Sequence, residues 1–369
     1  MKKLIALLLA LAMAFALVAC GSSSSAPAGD TTAPAGDSAP AGDAGFADVD
    51  PLTITFSSTY QETETGGIIQ KHFIDYLDQI TDGKITVDIT WGGTLYDSNG
   101  ELKAVQDGIV DMIAFGHMPH LDTVPYMSMP GFAPGGTKAA LDYFDILMFQ
   151  DPETSALIQG EAEELGIKYL NVIAGGANAF CASFEYTDLD DMVAKCGSFG
   201  NFDAAIFEYL GFQVTPVMPP DCYDALNRGL IQATQMGLAP MVSMAWYEVA
   251  PWWSLDGTYT GGNFFTVNLD WWNGLTDGQR AAIEDACAEV ENYSAGMYDD
   301  AIADDLDTIT SHGGTIVELS QADMDKVWEA TFIAKANDAM ARAERNGKTE
   351  GMTVILEKAA EITGFDWEH

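Results

Sequence analysis

At 369 residues the chain is long enough for two lobes with cores of their own, and 48% apolar with 19% charged residues fits an ordered globular body. Fifty-five acids against sixteen bases leave a net charge of −39, which argues strongly against nucleic acid, whose phosphates demand basic surface. A polyanionic partner would need a local basic patch and none is visible; the acidity reads as a solubilising surface that says little about the sign of a cleft.

Taken in chain order, the first residues decide the compartment. Lys2 and Lys3 precede an unbroken apolar run over 4–19, the layout of a secretory signal peptide and too short for a comfortable membrane span. The run closes on Leu17-Val18-Ala19-Cys20, followed by Gly21 and four serines, which resembles the lipobox of bacterial lipoproteins. The resemblance implies cleavage of 1–19, diacylation of the Cys20 thiol and anchoring by the buried methylenes of the acyl chains. Loss of 1–19 takes away two lysines and no acid, moving the net charge from −39 to −41. Over 20–50 the segment Ala-Pro-Ala-Gly-Asp occurs at 26–30, 33–37 and 39–43, and only Phe46 and Val49 break the polarity near its end. Such a stretch cannot offset its chain entropy by burial and reads as a flexible tether, reaching on the order of 30 Å.

From residue 51 the pattern changes. Leu52-Thr53-Ile54-Thr55-Phe56 alternates like a half-buried strand, Ile69, Phe73, Leu77 and Ile80 recur at helical spacing, and Gly83 closes that helix. Ile85-Thr86-Val87-Asp88-Ile89 is a second strand, Leu102, Val105 and Ile109 mark a second helix face, and Asp111-Met112-Ile113-Ala114-Phe115 is a third strand. Strands separated by helices imply parallel pairing in an α/β lobe. A second set follows: strand-like 167–174, a helix over 204–210, and strands over 212–217 and 231–236. Met218 and Met236, near strand ends, read as core. From 276 to 311 a stripe of Ile283, Ala286, Val290, Tyr293, Met297, Ile302 and Leu306 predicts a helix longer than one lobe needs, a spine along both. The tail, 321–343 and 353–363, is amphipathic and expected to pack.

The residues Lys84-Ile85-Thr86-Val87-Asp88-Ile89-Thr90-Trp91-Gly92-Gly93-Thr94-Leu95 and Glu101-Leu102-Lys103-Ala104-Val105-Gln106-Asp107-Gly108-Ile109-Val110-Asp111-Met112 resemble the first-lobe signature of DctP-type solute receptors of tripartite ATP-independent periplasmic (TRAP) transporters. Weaker agreement continues through Gly211-Phe212-Gln213-Val214-Thr215-Pro216-Val217, Tyr223-Asp224-Ala225-Leu226-Asn227-Arg228-Gly229, and Asn268 with Trp272 and Leu275. The resemblance implies an α/β, two-lobed periplasmic-binding-protein-like (type II-like) fold with a long helix spanning both lobes. The first lobe is expected at 51–175 with part of 264–311, the second at 176–263 with part of 312–369, and the connecting helix at 276–311. It further implies a small organic solute and integral membrane permease subunits as partners, an extracytoplasmic location, and no cofactor. In that family a second-lobe arginine grips the substrate carboxylate with its planar fork. By register over 188–198 Lys195 occupies that position here, and Ala177-Asn178-Ala179-Phe180 lacks the second arginine often seen. Both departures favour a neutral, hydroxylated or partly aromatic ligand over the usual organic acid.

Loops after strands should line the cleft, which nominates Tyr60 and Gln61 after the first strand, Trp91 beside Gly92-Gly93 after the second, and His117 after the third. Lys195 joins them as one of few cations, and Asn178, Asn201, Gln235 and Asn268 as hydrogen-bonding amides. Each has an ordinary alternative: packing for Trp91, a surface ion pair with Asp190 or Asp191 for Lys195, turns and caps for the amides. His117-Met118-Pro119-His120 lacks an obvious third ligand beyond Asp122, so no metal site is expected. No Walker loop, GxGxxG, HExxH or nucleophile elbow is present, and the chain reads as a binding protein, not an enzyme. Cys181, Cys196, Cys222 and Cys287 leave three disulfide pairings open, or buried thiols. An ABC-type receptor shares the bilobed shape and stands as the alternative; a surface hydrolase or adhesin on the same anchor stands behind it.

Overall fold

The computed structural model describes residues 45–193, 196–199 and 204–365. The signal segment, Cys20 and the tether through residue 44 lie outside the described residues, as do Lys195 and Asn201. The globular body begins earlier than residue 51. Phe46 donates its N–H to the Ile80 carbonyl at 3.0 Å, and Val49 is buried in the first core, so the two apolar residues that end the polar stretch dock.

In chain order the strands are β1 (Leu52–Ser57), β2 (Ile85–Thr90), β3 (Met112–Phe115), β4 (Phe132–Pro134), β5 (Ile167–Tyr169), β6 (Ala174–Ala182), β7 (Cys196–Phe199), β8 (Gln213–Pro216), β9 (Ala233–Gly237), β10 (Trp252–Gly261), β11 (Phe264–Asn268) and β12 (Thr315–Ile316). They form two sheets, β2-β1-β3-β11-β5 and β12-β10-β6-β9-β7-β8, with β4 on β10. Parallel pairing of β1 with β2 and β3 matches the strand-helix-strand pattern. The first sheet is completed by β11 and β5, which run antiparallel and arrive from far along the chain. Helices cover both faces of this sheet, with one core against helix Thr65–Ile80 and the start of the long helix, and the other against the C-terminal helices.

The continuous strand expected over 167–174 is broken in two. Its first three residues pair with β11 in the first sheet, and β6 opens the second sheet at Ala174. Asn171 makes the break: its Nδ2 donates to the Cys287 carbonyl at 3.3 Å and its Oδ1 accepts from Phe265 N at 3.0 Å, so a side-chain amide takes over from the ladder.

The spine is present as Asp277–Ser311, 35 residues, about 52 Å at 1.5 Å per residue. A capping box starts it: Gln279 N donates to Thr276 Oγ1 at 3.3 Å and Thr276 N to Gln279 Oε1 at 2.9 Å. Ala282, Ile283, Ala286 and Val290 pack in the core of the first sheet, while Ile302, Leu306 and Ile309 pack against the second. One helix therefore serves both halves. Cys181, Cys222 and Cys287 are buried thiols without a disulfide. Met218 is 58% exposed rather than core, because it caps the entry to helix Pro219–Asn227 on the rim of the second sheet.

Candidate functional site

The two shortest of the chain's crossings between the sheets are 170–173 and Gly262-Asn263, and both are built on close backbone approach. A Cβ on Gly175 would lie 2.2 Å from Thr260 Oγ1, one on Gly261 2.1 Å from the Phe144 ring, and one on Gly262 2.5 Å from the Ala174 carbonyl. Glycine is required at Gly175 and Gly262 because β6 and the end of β10 lie against each other with no room for a side chain, and at Gly261 because the Phe144 ring of helix Thr137–Asp145 packs onto the strand.

Over this glycine floor lies a cleft of two chambers. The first, 650 Å³, takes Tyr60, Gly116 and His117 from the loops after β1 and β3, Gly175 and Thr260 from the second sheet, and Lys335, Asp338 and Arg342 from helix Gln321–Arg345. The second, 610 Å³, lies between the start of helix Thr65–Ile80 and that of helix Leu238–Ser243, with Tyr298, Ala301, Ile302 and Asp305 of the long helix along one side. Spacings of three, four and seven put those four residues on one helical face. Tyr60, Gly176, Thr260 and Tyr298 border both chambers, so they form one continuous groove with a neck.

The neck is held by a polar relay. Asn263 Nδ2 donates to the Tyr60 hydroxyl at 2.5 Å, and that hydroxyl is also hydrogen-bonded to Tyr298. Burial raises the pKa of both phenols, so they stay neutral donors and acceptors. Burial and, second, the charge of Lys335 push the His117 pKa down to about 4. The imidazole is therefore neutral at physiological pH, and its buried Nδ1 has no hydrogen-bond partner among the described residues. Beneath the first chamber Glu101 is 1% exposed; it accepts from Gly116 N at 3.3 Å, and burial raises its pKa to about 8. On the opposite wall Lys335 holds its ammonium 5.3 Å from the Phe132 ring centroid. Arg342 donates to Asp122 at 2.7 Å and to Asp338 at 2.9 Å, so its charge is locally answered.

The residues nominated from sequence separate into three groups. Tyr60, His117 and Asn178 line the chambers. Gln235 borders an adjoining recess of 240 Å³ that Asn178 also lines. These two amides are tied to one buried carboxylate: Gln235 Nε2 donates to Asp256 at 2.5 Å, Asn178 Nδ2 to Thr258 Oγ1 at 2.9 Å, and Thr258 N and Oγ1 each to Asp256 at 2.7 Å. Gln61, Trp91 and Asn268 stand apart from these chambers. Gln61 is exposed and lies over Gly92, and Trp91 is half-buried with its carbonyl bonded by Thr94 at 2.9 Å. Asn268 caps helix Leu269–Gly274, accepting from Trp271 N at 2.9 Å, while its Nδ2 donates to the carbonyls of Val105 and Gln106. Its amide is fully used at the end of the first sheet, the outcome common for an amide before a helix. Lys195 and Asn201 lie outside the described residues.

Sequence reading missed Tyr298, Thr260 and Lys335. The C-terminal helix was expected only to pack, yet Ala334, Lys335, Asp338 and Arg342 share a face that walls the first chamber. Their near-regular spacing of one, four and eight is the signal that could have separated this polar face from an ordinary solvated one.

Residues 56–341 match the family described as bacterial extracellular solute-binding protein, family 7 (DctP). The C4-dicarboxylate-binding periplasmic protein DctP of Rhodobacter capsulatus is 25% identical over 323 residues, 84% of this chain and 91% of that protein. Among solved structures, a TRAP periplasmic solute-binding protein from Ochrobactrum anthropi, with its C-terminus bound in its ligand-binding pocket, superposes with a TM-score of 0.71 at 20% identity, covering 85% of this chain and 97% of that one. One from Desulfovibrio desulfuricans with bound sn-glycerol-3-phosphate gives 0.65 at 20% identity, covering 86% and 99%. With the family match spanning most of a two-sheeted body whose cleft takes its walls from both halves, the chain belongs to the DctP family of bacterial extracellular solute-binding proteins.

Proposed function

We propose that the protein is the lipid-anchored, extracytoplasmic receptor of a TRAP-type transporter, which closes on a small organic solute and delivers it to integral membrane permease subunits. The observation that carries this reading is the continuous groove bordered by both sheets, with the Nδ1 of His117, unpartnered among the described residues, in its wall. A solute there would meet Tyr60 and His117 from the first lobe, 51–175 with part of 264–311, and Asn178 from the second, 176–263 with part of 312–369. Lys195 and Asn201, which flank β7 in the sequence, would complete the second-lobe side. The wall chemistry supports a receptor over a catalyst: beside the charged Glu64, Asp305, Lys335, Asp338 and Arg342 the groove is lined by neutral phenols, an imidazole held neutral by burial, amides and glycines, with no nucleophile and base brought together among the described lining residues.

The mature chain, from residue 20 on, is expected to bind one solute class out of a panel of acids, sugars, alcohols, amines and zwitterions in a thermal-shift assay. At 100-fold excess over Kd the linkage gain is about 2.7 kcal/mol, a shift of several degrees in Tm. A panel that leaves Tm unmoved throughout would remove the receptor reading. Anchoring has its own test. Cys20→Ala is expected to move the protein from the membrane pellet to the soluble exported fraction, or to leave it with 1–19 uncleaved; a processed variant that still sediments with membranes would overturn lipidation at this cysteine.

A further inference from the structure

The two chambers differ in how their charges are answered. In the first, Arg342 is held by Asp122 and Asp338, and Lys335 is engaged too, its ammonium 5.3 Å from the Phe132 ring centroid. In the second, Glu64 and Asp305 are the charged groups among the described lining residues, and none of those residues is basic. Glu64 accepts from Gln61 N at 3.0 Å, whereas Asp305, half-buried on the long helix, has no hydrogen bond or ion pair among the described residues. The chambers share the Tyr60, Gly176, Thr260 and Tyr298 neck, so one small molecule can place a different end in each.

We infer that the solute is an organic monocation with a hydroxyl at its far end, its ammonium in the second chamber against Asp305 and its hydroxyl beyond the Tyr60–Tyr298 neck at the His117 wall of the first. This rests on the receptor reading and narrows it to a ligand class. A carboxylate taken partly out of water without a partner is costly, and a ligand cation supplies what the described residues do not. Burial and, second, the neighbouring Asp304 push the Asp305 pKa up to about 6, the mark of that shortage. One influence runs against a cation. The N-terminus of helix Thr65–Ile80 opens into this chamber, but it carries only about half a unit charge, and Glu64 at its cap outweighs it. The remaining wall, with the Tyr60 and Tyr298 phenols beside Leu238, Pro240 and Ile302, suits an alkyl-substituted ammonium. A bare divalent metal would need several protein ligands, and no group of three acids, histidines or cysteines comes together among the described residues. An anion spanning the neck would set its charge on Asp305 and meet no unanswered base among the described residues of the first chamber. His117 is the second, independent mark of a missing ligand: it is 5% exposed, borders the first chamber, and has its Nδ1 unpartnered among the described residues. A neutral imidazole nitrogen is matched by a neutral hydroxyl, which donates or accepts as required. The net charge of −39 further draws cations toward the molecule.

The test is isothermal titration of the mature chain with matched probes: choline and straight-chain amino alcohols as hydroxylated cations, alkylamines of the same lengths as cations without the hydroxyl, the corresponding diols as neutral probes, hydroxy acids as anions and amino acids of the same lengths as zwitterions. At least one hydroxylated cation is expected to bind roughly 10- to 100-fold more tightly than its matched diol and hydroxy acid, and more tightly than its matched alkylamine. Asp305→Asn is expected to erase the preference for the cation over the diol. Asp304→Asn removes the same charge from the exposed neighbour, which is not among the described lining residues, and is expected to keep that preference. The unliganded Tm of each variant checks the fold. Anions, zwitterions or diols binding while cations do not would overturn this inference and leave the receptor reading standing. So would a cation preference untouched in a folded Asp305→Asn variant, one lost equally in Asp304→Asn, or an alkylamine binding as tightly as the best amino alcohol. No binding by any probe class would take both away.

Discussion

Raising the pH from about 5 to 8 is expected to weaken the fold through Glu101, and Glu101→Gln to flatten that loss. The Glu101 carboxyl is 1% exposed at the start of helix Glu101–Gln106, and burial lifts its pKa from 4.5 to about 8. An acid whose folded pKa lies above its unfolded value is protonated in the fold and ionised in the unfolded chain between the two. Its contribution is therefore intact below pH 4.5 and lost progressively up to about 8. One such proton gives a slope of about 1.4 kcal/mol per pH unit, so at pH 7 the loss amounts to about 3 kcal/mol. Glu291, raised to about 7 with burial the leading cause, adds a loss of the same sign over a narrower window. His117 acts oppositely: kept neutral down to about pH 4, it withdraws stability as pH falls from 6.5. Stability should therefore peak on the acid side of neutrality, and urea titrations at pH 5, 6, 7 and 8 read it directly. Glutamine keeps the oxygen that accepts from Gly116 N but cannot ionise. Equal slopes for wild type and Glu101→Gln between pH 6 and 8 would show that Glu101 titrates normally.

Gly262→Ala is expected to cost about 3 kcal/mol or more, at the upper end of what one added methyl does in a packed site. The new Cβ would sit 2.5 Å from the Ala174 carbonyl and 2.8 Å from that of Ile173, and these are backbone atoms of the other crossing strand that no rotamer change can move. The Gly262 N–H already donates to Ile173 O at 2.9 Å, so parting the strands also breaks a buried hydrogen bond. Gly296→Ala is the matched control. Gly296 lies inside the long helix with nothing within 4 Å of an added Cβ, and there alanine should stabilise by roughly 0.5–1 kcal/mol. Urea midpoints for the two variants should move in opposite directions; a Gly262→Ala midpoint within error of wild type would mean that the crossing strands are free to separate.

Local periodicity and capping were enough to determine the strands near 52, 85 and 112, the helix from 65 to 80 and the spine at 277–311. Each draws its signal from residues two to four apart: alternation in Leu52-Thr53-Ile54-Thr55-Phe56, the Thr276 and Gln279 box, the stripe through Ile283, Ala286 and Val290. The glycine-flanked block after β2 and the apolar leader ending at Cys20 likewise carried the family and export expectations in their own residues. The strand β10 was not legible. Asp256 and Gly257 interrupt its alternation at a register shift, and its partners β6 and β4 lie some eighty and more than one hundred and twenty residues away.

The chemistry of the groove was decided by tertiary structure alone. Tyr298 sits five residues beyond Tyr293 on a helix that looked like pure packing, and it reaches Tyr60 only because both sheets rest on that helix. Lys335 belongs to a tail helix folded back across the first half, and its charge is felt at His117, more than two hundred residues earlier. Asn268 went the other way, into a helix cap. A residue type and its neighbours set what a side chain can do; which partner comes within a few ångströms depends on how distant segments cross, and a hydrogen bond or charge is decided at that distance.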